Sequence, residues 1–463
     1  MSFKYEAVKE GPASFRLRRL RNMYCEIVAL LSDPLYEASE ENAWEQAVTG
    51  AEFPGVLALY MMPDTHLGSV VPIGSVIVTD GTLILAGAGF DISCGVLTMR
   101  VPGLTAEMVA SPEKRRQWIE QVELRIPTGI GSHRSSLMPS FSRDEAEEML
   151  RAGAIPLGVG PDVCERVRIP VGNRVDSSVD PKAASKLTAQ LGSLGGGNHF
   201  IELQVDAADG SAWVMIHSGS RGYGYGIASH YMHAAAALRG MRDNRREAAW
   251  LHIDEPLGRE YWDQASAAAN YAIANRHVMA RSVSAALEAT WGTPGETFYE
   301  ISHNLIQRET VAGVERFVHR KGATRAFGAG HFALHGTCWE DTGHPVLIPG
   351  SMFTGGAILR ALDGASRTAH SVNHGSGRVM GRKDAKRRFS ADQDAINAQM
   401  GDVRRVFAGQ EIVGVLSNQR AVPIDECTRV YKDLDAVLDV LTSEGIATVE
   451  RRLYPVANIK GCD

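Results

Sequence analysis

The sequence predicts a large α+β domain in which strands and helices are interwoven along the chain. Short apolar runs typical of strands, such as residues 212–216 and 345–348, are separated by stretches with helical spacing at residues 105–155 and 226–290. No internal repeat or low-complexity tract interrupts the 463 residues. A chain of this length can hold two or three domains, but the unbroken alternation favours a single domain spanning residues 1–463.

Local composition predicts a β-hairpin and a surface excursion. Residues 76–78 and 83–85 are apolar runs on either side of Asp80-Gly81, a pair that favours a hairpin turn. The glycine-flanked segment that begins at Gly89 therefore follows a strand. Residues 160–190 have a mixed composition, and we predict that they form an excursion on the surface.

The charge and the cysteine content limit the class of the protein. The 48 basic and 54 acidic residues give a net charge of −6, so nucleic-acid binding requires a local basic patch. The N-terminus has no apolar signal region, and no apolar run approaches the roughly 18 residues of a membrane span. Six scattered cysteines without a CxxC pair are typical of a reducing compartment, so we expect a cytoplasmic protein. They are Cys25, Cys94, Cys164, Cys338, Cys427 and Cys462.

Dispersed Asp, Cys and His residues predict a metal site. Asp91 and Cys94 lie three positions apart in a segment flanked by glycine, Gly89-Phe90-Asp91-Ile92-Ser93-Cys94-Gly95. Four histidines farther along stand beside Asn, Ser or Gly: His199, His217, His303 and His374. A thiolate among imidazoles and a carboxylate suits Mn, Zn, Fe or Co, whereas Mg and Ca prefer oxygen ligands only. Taken singly, each histidine is more often an ordinary core or surface residue.

Glycine-rich and basic segments suggest phosphate binding. The glycines at 195–197 precede Asn198 and would let backbone N–H groups approach a phosphate, although the P-loop, dinucleotide and lysine nucleotidyl-transferase signatures are missing. The segment 319–325 contains three cations, and residues 16–21 and 382–388 are similar basic runs. Each run can follow a polyanion backbone or be a solvated surface.

Read together, these segments resemble the RtcB family of RNA-splicing ligases. The matching segments occur in the family's order from about residue 55 to the end of the chain. They are residues 62–68, 72–74, 87–95, 191–202, 217–222, 302–304, 319–325, 349–352, 374–378, 431–433 and 460–461.

The resemblance implies the α+β fold of these ligases, with mixed β-sheets surrounded by helices around a central cleft for metal and nucleotide. It implies a GTP- and Mn²⁺-dependent enzyme that joins an RNA 3′-phosphate or 2′,3′-cyclic phosphate end to a 5′-hydroxyl end. Two ions are expected, and Zn or Co are alternatives in vitro. The RNA served would be tRNA or rRNA in repair, or tRNA in splicing.

The resemblance also assigns roles to individual residues. His374 matches the nucleophile that accepts GMP. Asp91, Cys94, His199, His217 and His303 match the metal ligands, with Cys94 shared by two ions. The positions expected around the nucleotide are Asn198, Glu202, Asn304, Ser351, His374, Gly375, Ser376, Gly377, Tyr431 and Lys460. The candidates for RNA or phosphate contact are Asp64, Arg221, Arg320, Lys321, Arg325 and Arg378.

The chain departs from the family pattern near the expected nucleophile. Asn373 replaces a usual Pro, Ser376 a common Ala and Phe353 a usual Gly, while residues 328–331 lack an expected Pro pair. These departures favour a divergent bacterial paralogue. They also leave two alternatives: a metal-dependent cyclic phosphodiesterase or phosphatase that processes RNA ends, and a non-catalytic RNA- or ribosome-binding protein that uses Arg320, Lys321, Arg325 and the basic run at residues 382–388.

Overall fold

The computed structural model describes residues 2–20, 22–131 and 134–461. Two positions noted in the sequence lie outside these described residues: Arg21 of the first basic run, and Cys462. The five cysteines within them are free thiols. No helix in the described part of the chain is both long enough and apolar enough to cross a membrane.

The secondary structure mixes strands and helices throughout, which confirms the α+β prediction. The strands are β1 (Val8–Gly11), β2 (Ser14–Leu17), β3 (Ile27–Leu30), β4 (Val56–His66), β5 (Ile73–Thr79), β6 (Thr82–Ile84), β7 (Gly95–Thr105), β8 (Phe200–Asp206), β9 (Ser211–Ser218), β10 (Trp250–His252), β11 (Glu296–Ser302), β12 (Asn304–Val311), β13 (Val314–Lys321), β14 (Ala323–Arg325), β15 (Pro345–Ile348), β16 (Gly356–Ala361), β17 (Ser371–Asn373), β18 (Arg404–Phe407), β19 (Gln410–Val413), β20 (Leu416–Ser417) and β21 (Ala447–Lys460). The α-helices are α1 (Asp33–Ala38), α2 (Glu41–Ala51), α3 (Ala106–Val109), α4 (Pro112–Glu123), α5 (Arg143–Ala152), α6 (Pro181–Ala184), α7 (Arg221–Leu238), α8 (Pro256–Trp291), α9 (Arg382–Phe389), α10 (Gln393–Asp402) and α11 (Leu434–Ser443).

Two large sheets form the frame of the molecule. The first has seven strands in the order β1-β2-β3-β4-β5-β13-β12, and only its β3–β4 pair is parallel. The second has the order β11-β7-β9-β8-β21-β16-β15, with β20 paired in parallel to β21. Neighbouring strands in this order are antiparallel, so the start of one strand lies beside the end of the next.

Helices cover both sheets with apolar faces. One core joins α2 and α11 to the first sheet and to β15 and β16 of the second, through buried Trp44, Leu441 and Leu359. Another packs α4 and α8 on the second sheet through Trp118 and Val283. The 36-residue α8 starts with Pro256 in its first turn and ends before Gly292, whose φ of 76° closes the helix in the left-handed conformation.

Helix α8 is buried along most of its length, and small residues recur along it. The helical spacing of Ala265, Ala268, Ala269, Ala272 and Ile273 predicts packing positions. The last four are at most 1 % exposed, and Ala265 is partly buried against the same core. The predicted helical stretch 226–290 is nevertheless two helices, since β10 lies between α7 and α8 and pairs with β6.

The predicted hairpin is wrong. The turn at Asp80-Gly81 forms, but β5 pairs with β4 on one edge and with β13 on the other. Both hydrogen-bonding edges of β5 are therefore occupied, and the chain after the turn pairs with β10 instead.

The segment at residues 160–190, predicted to be a surface excursion, is mostly exposed or partly exposed but has several buried side chains. The segment is irregular apart from α6, as its composition suggested. Its side chains Cys164, Ile169, Val175 and Leu187 nevertheless lie in the core that α5, α7 and α8 share. These apolar side chains and the cysteine attach the segment to the core, although the charged residues between them make its average composition polar.

Candidate active site

Four neighbouring strands deliver the predicted metal ligands to one edge of the second sheet. Cys94 directly precedes β7, and His217 lies at the end of β9, where Gly95 pairs with Ser218. His303 directly follows β11, whose Ser302 also pairs with Gly95. His199 directly precedes β8, whose first residue pairs with His217. The antiparallel order of β11, β7, β9 and β8 therefore gathers residues that are far apart in sequence.

The loop before β7 adds the carboxylate. Gly89 and Ser93 have positive φ values of 71° and 57°, so the loop turns back on itself. The Cys94 N–H donates to the Asp91 carbonyl at 3.1 Å, which places the Asp91 and Cys94 side chains on the same turn.

The ligand atoms converge as two sets that share the cysteine. Cys94 Sγ lies 3.4 Å from His199 Nε2 and 3.2 Å from His217 Nε2. His199 Nε2 is 2.9 Å from Asp91 Oδ2, and His217 Nε2 is 3.3 Å from His303 Nε2. One set is therefore Asp91, Cys94 and His199, and the other is Cys94, His217 and His303.

Hydrogen bonds orient two of these imidazoles toward the site. The carbonyl oxygens of Leu194 and Asn198 face His199 Nδ1 and His217 Nδ1 at 3.0 and 3.1 Å, so each Nδ1 carries the proton and each Nε2 offers a lone pair. Burial lowers the pKa of His217 and His303 well below the usual histidine value, which keeps both rings neutral. Neutral imidazoles with facing lone pairs fit a metal cation between them.

The predicted nucleophile lies beside the second ligand set. The ring centres of His374 and His303 are 4.7 Å apart. His374 Nδ1 lies 2.7 Å from Asp64 Oδ2, and its backbone N–H donates to the same oxygen at 3.3 Å. Gly322 gives the ring space, because a Cβ at that position would lie 2.9 Å from His374 Cε1. The imidazole is thus held with Nε2 directed away from Asp64.

The structure places Asp64, a predicted candidate for RNA or phosphate contact, against His374. Its side chain is fully buried, and its carboxylate contacts the imidazole. Asp64 therefore positions the imidazole. The segment 62–68 gave no sign of this partner in the sequence, because His374 lies 310 positions away.

A cavity of about 490 Å³ connects the ligand sets to His374. Asp91, Cys94, His217 and His303 line it, whereas His199 lies behind them. All ten positions predicted to surround a nucleotide line the same cavity: Asn198, Glu202, Asn304, Ser351, His374, Gly375, Ser376, Gly377, Tyr431 and Lys460. A volume of this size is typical of pockets that hold a small organic ligand.

A family model described as tRNA-splicing ligase RtcB matches residues 46–461. The chain belongs to the RtcB family. The RNA-splicing ligase RtcB of Mycobacterium bovis is 33% identical over 448 residues, which cover 90% of this chain and 100% of that protein. The tRNA-splicing ligases RtcB of Archaeoglobus fulgidus and Thermococcus kodakarensis are 34% and 32% identical, covering 93% and 91% of this chain and 93% and 92% of their own lengths.

One wall of the cavity in this RtcB-family chain is acidic. Glu202 accepts hydrogen bonds from Gln204 Nε2 and Asn458 Nδ2, both at 2.8 Å. Burial raises the pKa of Glu202 to about 7. The carboxylate is only 5 % exposed, so it is available to a ligand in the cavity and to little else.

Sequence reasoning missed Glu426, which lines the same cavity and binds several of its basic side chains. Its carboxylate accepts from Tyr431 Oη at 2.5 Å, from Lys460 Nζ at 2.9 Å and from Arg378 Nη1 at 3.3 Å. Arg382 also pairs with it at 3.4 Å. The only sequence signal was a glutamate five positions before Tyr431, and that spacing does not predict a contact in an irregular segment.

The departure at Asn373 has a local structural role. Its Nδ2 donates to the Gly375 carbonyl at 2.7 Å and closes the turn that follows His374. Ser376 lines the cavity with a buried hydroxyl that has no hydrogen-bond partner among the described residues.

The predicted RNA contacts divide into two groups. Lys321 and Arg378 line the cavity. Arg221 lies beside it, where Nε donates to Ser193 Oγ at 3.1 Å and Nη2 to the Gly129 carbonyl at 3.2 Å.

Arg320 and Arg325, the other two arginines predicted to contact RNA, lie in buried ion pairs. Arg320 is 1 % exposed and pairs with Glu309 at 2.7 Å, and Arg325 is 3 % exposed and pairs with Glu165. These pairs give both arginines a partner within the protein, so the binding-protein alternative depends more on Lys321 and the basic run at residues 382–388.

Proposed function

We propose that this chain is a GTP- and Mn²⁺-dependent RNA ligase acting as one catalytic domain over residues 1–463. It joins RNA 3′-phosphate or 2′,3′-cyclic phosphate ends to 5′-hydroxyl ends through a guanylylated His374. Its service is repair of tRNA or rRNA, or tRNA splicing, in the cytoplasm. The observation that carries the proposal is one cavity containing an oriented imidazole and two ligand sets that share Cys94.

The orientation of His374 supports its role as nucleophile. Because Asp64 accepts from the Nδ1 side of the ring, Nε2 keeps its lone pair for attack on the α-phosphorus of GTP. A P–N bond forms at Nε2, and the bond to pyrophosphate breaks. The ring becomes positively charged in this step, and the buried Asp64 carboxylate stabilises that charge.

The ligand sets suit divalent ions that neutralise the phosphates. When bound, such ions lower the repulsion between an electron-rich nucleophile and a polyphosphate. Asp91, Cys94 and His199 would hold one ion, and Cys94, His217 and His303 the other. Mn²⁺ is the proposed ion, and a thiolate among imidazoles also accepts Zn²⁺ or Co²⁺.

Glu202 supports selection of guanine over adenine. Each of its oxygens accepts one hydrogen bond within the protein and has a further lone pair free. A guanine ring N–H and exocyclic amine are the paired donors that a carboxylate recognises. Adenine presents no such pair of donors, so ATP is a poor substitute.

Lys321 and Arg378 support RNA binding at the cavity. A 2′,3′-cyclic phosphate end is first hydrolysed to a 3′-phosphate. The 3′-phosphate then attacks the phosphorus on His374 and takes GMP from the imidazole. The 5′-hydroxyl of the second RNA attacks the activated phosphate, and GMP leaves.

The test is sealing of two defined RNAs by the purified protein. One RNA carries a 3′-phosphate and the other a 5′-hydroxyl, with Mn²⁺ and either GTP or ATP. We expect a joined product with GTP, little with ATP and none from His374→Ala. Absence of any joined product from the folded, metal-loaded protein would contradict the proposal, and end processing without GTP would favour the phosphodiesterase alternative.

A further inference from the structure

A second group of metal-binding side chains lies outside the cavity. Cys164, His277 and Glu300 each place one potential ligand atom within 4.8 Å of the others. They come from three separate parts of the chain: the irregular segment before α6, the middle of α8, and β11. Their exposures are 2 %, 4 % and 1 %, so the group is inside the protein.

His277 is the observation that points to a ligand. Its Nε2 is buried and has no hydrogen-bond partner among the described residues. Burial lowers the pKa of the ring to about 3, so His277 is neutral. A buried polar nitrogen without a partner destabilises the folded protein, and a bound cation would remove that cost. Neutral imidazole is also the form that binds metals.

The other two side chains are already oriented toward each other. Cys164 Sγ donates to Glu300 Oε2 at 2.9 Å, while Arg276 Nε donates to Glu300 Oε1 at 2.7 Å. Burial raises the pKa of the Cys164 thiol well above its usual value. The thiol therefore keeps its proton unless a stronger Lewis acid replaces it.

We infer that Cys164, His277 and Glu300 bind one structural divalent ion of the Zn²⁺ type, separate from the ions of the cavity. Thiolate, imidazole and carboxylate together are a common donor set for Zn²⁺. On binding, the S–H bond of Cys164 breaks, the proton leaves to solvent and a sulfur–metal bond forms. Glu300 offers Oε2 to the ion and keeps Oε1 on Arg276.

Such an ion would brace the floor of the active site. Arg276, held by Glu300, donates to the carbonyl oxygens of Ser93 and Ser218 at 2.6 and 2.9 Å. These residues adjoin Cys94 and His217. Glu300 itself lies three residues before His303 on β11. An ion at this point cross-links the segments that present the cavity ligands, so its loss would lower thermal stability.

The test is Co²⁺ binding to the full-length Cys94→Ser protein. This variant removes the cysteine of the cavity, so any thiolate-to-Co²⁺ charge-transfer absorption must come from another cysteine. We expect about one equivalent of thiolate-bound Co²⁺ per chain. The absorption should be lost in Cys94→Ser/Cys164→Ser. In Cys94→Ser/His277→Gln the Co²⁺ affinity measured from the absorption should fall at least about tenfold, because changes outside the ligand set already lower metal affinity by that much.

Two matched controls keep the absorption. Cys338→Ser in the Cys94→Ser background removes an exposed thiol, and His344→Gln removes another buried histidine whose Nε2 has no partner within residues 2–20, 22–131 and 134–461. Absence of thiolate absorption from folded Cys94→Ser protein, or its loss with Cys338→Ser, would overturn the inference.

A second measurement tests the inference without the Cys164→Ser substitution, in case that variant does not fold. X-ray absorption of Zn²⁺-loaded Cys94→Ser protein should find one sulfur ligand on the ion bound at this site. A shell of oxygen and nitrogen only would overturn the inference, and the trio would then be a buried hydrogen-bond network. Neither result depends on RNA ligation, so the proposed function stands or fails separately.

Discussion

The cavity and the ion-pair core formed by Arg320, Arg325, Glu165 and Glu309 are both buried and rich in charge, but they differ in how completely their polar groups are hydrogen-bonded. In the core, Arg320 reaches Glu309, Gln307 and Ser371 within 2.9 Å. Around the cavity, His303 Nδ1 and Ser376 Oγ have no partner among the described residues. Buried charge by itself therefore does not identify a functional residue. Polar groups without a partner among the described residues are informative where, as here, they also line a cavity beside candidate metal ligands.

Loss of the shared ligand should have the largest effect on the cavity. Cys94→Ala removes a ligand from both metal sets at once, so we expect guanylylation and RNA joining to fall by at least about 10³-fold, equivalent to roughly 4 kcal/mol of transition-state stabilisation. Rates of both steps at saturating Mn²⁺ measure the effect. Cys25→Ala, which removes a buried thiol of the first sheet, should keep near-normal activity.

Loss of the residue that orients His374 should have the next largest effect. Asp64→Asn keeps the size of the side chain but removes the charge that holds and stabilises the imidazole, so we expect guanylylation to slow by about 10²–10⁴-fold. Rapid-quench measurement of adduct formation tests this. Exposed Asp439→Asn is the control. An unchanged rate for Asp64→Asn would mean that the carboxylate does not position the nucleophile.

Breaking the ion-pair core should lower the stability of the protein. Arg325→Ala leaves Glu165 buried without its partner, so we expect a loss of about 3–5 kcal/mol in the free energy of unfolding. Arg325 at present holds the pKa of Glu165 below its usual value against the opposing effect of burial. Part of the loss should therefore be recovered as pH falls and Glu165 takes up a proton. Chemical unfolding at several pH values measures it, with exposed Arg388→Ala as control. A neutral Arg325→Ala would make Arg325 available for RNA after all.

Glu202 should lower the stability of the protein as pH rises, which is opposite in sign to the effect of Glu165 in the wild-type protein. Its pKa rises from 4.5 to about 7 on folding. The stability associated with the protonated form is complete below the unfolded value and is lost as pH rises through 7, a difference of up to about 3 kcal/mol.

Glu202→Gln should therefore raise the melting temperature at pH 8 and change it little at pH 4. Gln204 Oε1 and Asn458 Oδ1 are buried and have no partner in the part of the chain that the structure describes, so after a flip of either amide its oxygen can accept from the new Gln side chain. Thermal unfolding at both pH values tests this against exposed Glu148→Gln. Equal shifts at pH 4 and pH 8 would show that the carboxylate is not strained by burial.

Much of the cavity was predictable because its residues carry chemistry in short motifs. Glycines flank Asp91 and Cys94, and an apolar strand leads into His217, so local patterns already placed these side chains at strand ends. The structure brings them together because β7, β9, β8 and β11 are neighbours in one antiparallel sheet.

What the sequence did not predict depends on long-range pairing. The partner of β6 is β10, and the partner of Arg325 is Glu165, a separation of 160 residues. Asp64 reaches His374 across 310 positions. Neither local composition nor helical or strand periodicity contains such information, so the basic run at 319–325 was interpreted as surface although β13 and β14 bury it.

The most direct test of the account is covalent labelling of the purified protein with α-labelled GTP and Mn²⁺, followed by denaturing electrophoresis. We predict an acid-labile label on the wild-type chain and on Cys25→Ala, and none on His374→Ala or Cys94→Ala. Label on His374→Ala, or no label on wild-type protein with bound metal, would contradict the claim that His374 is the guanylylated nucleophile.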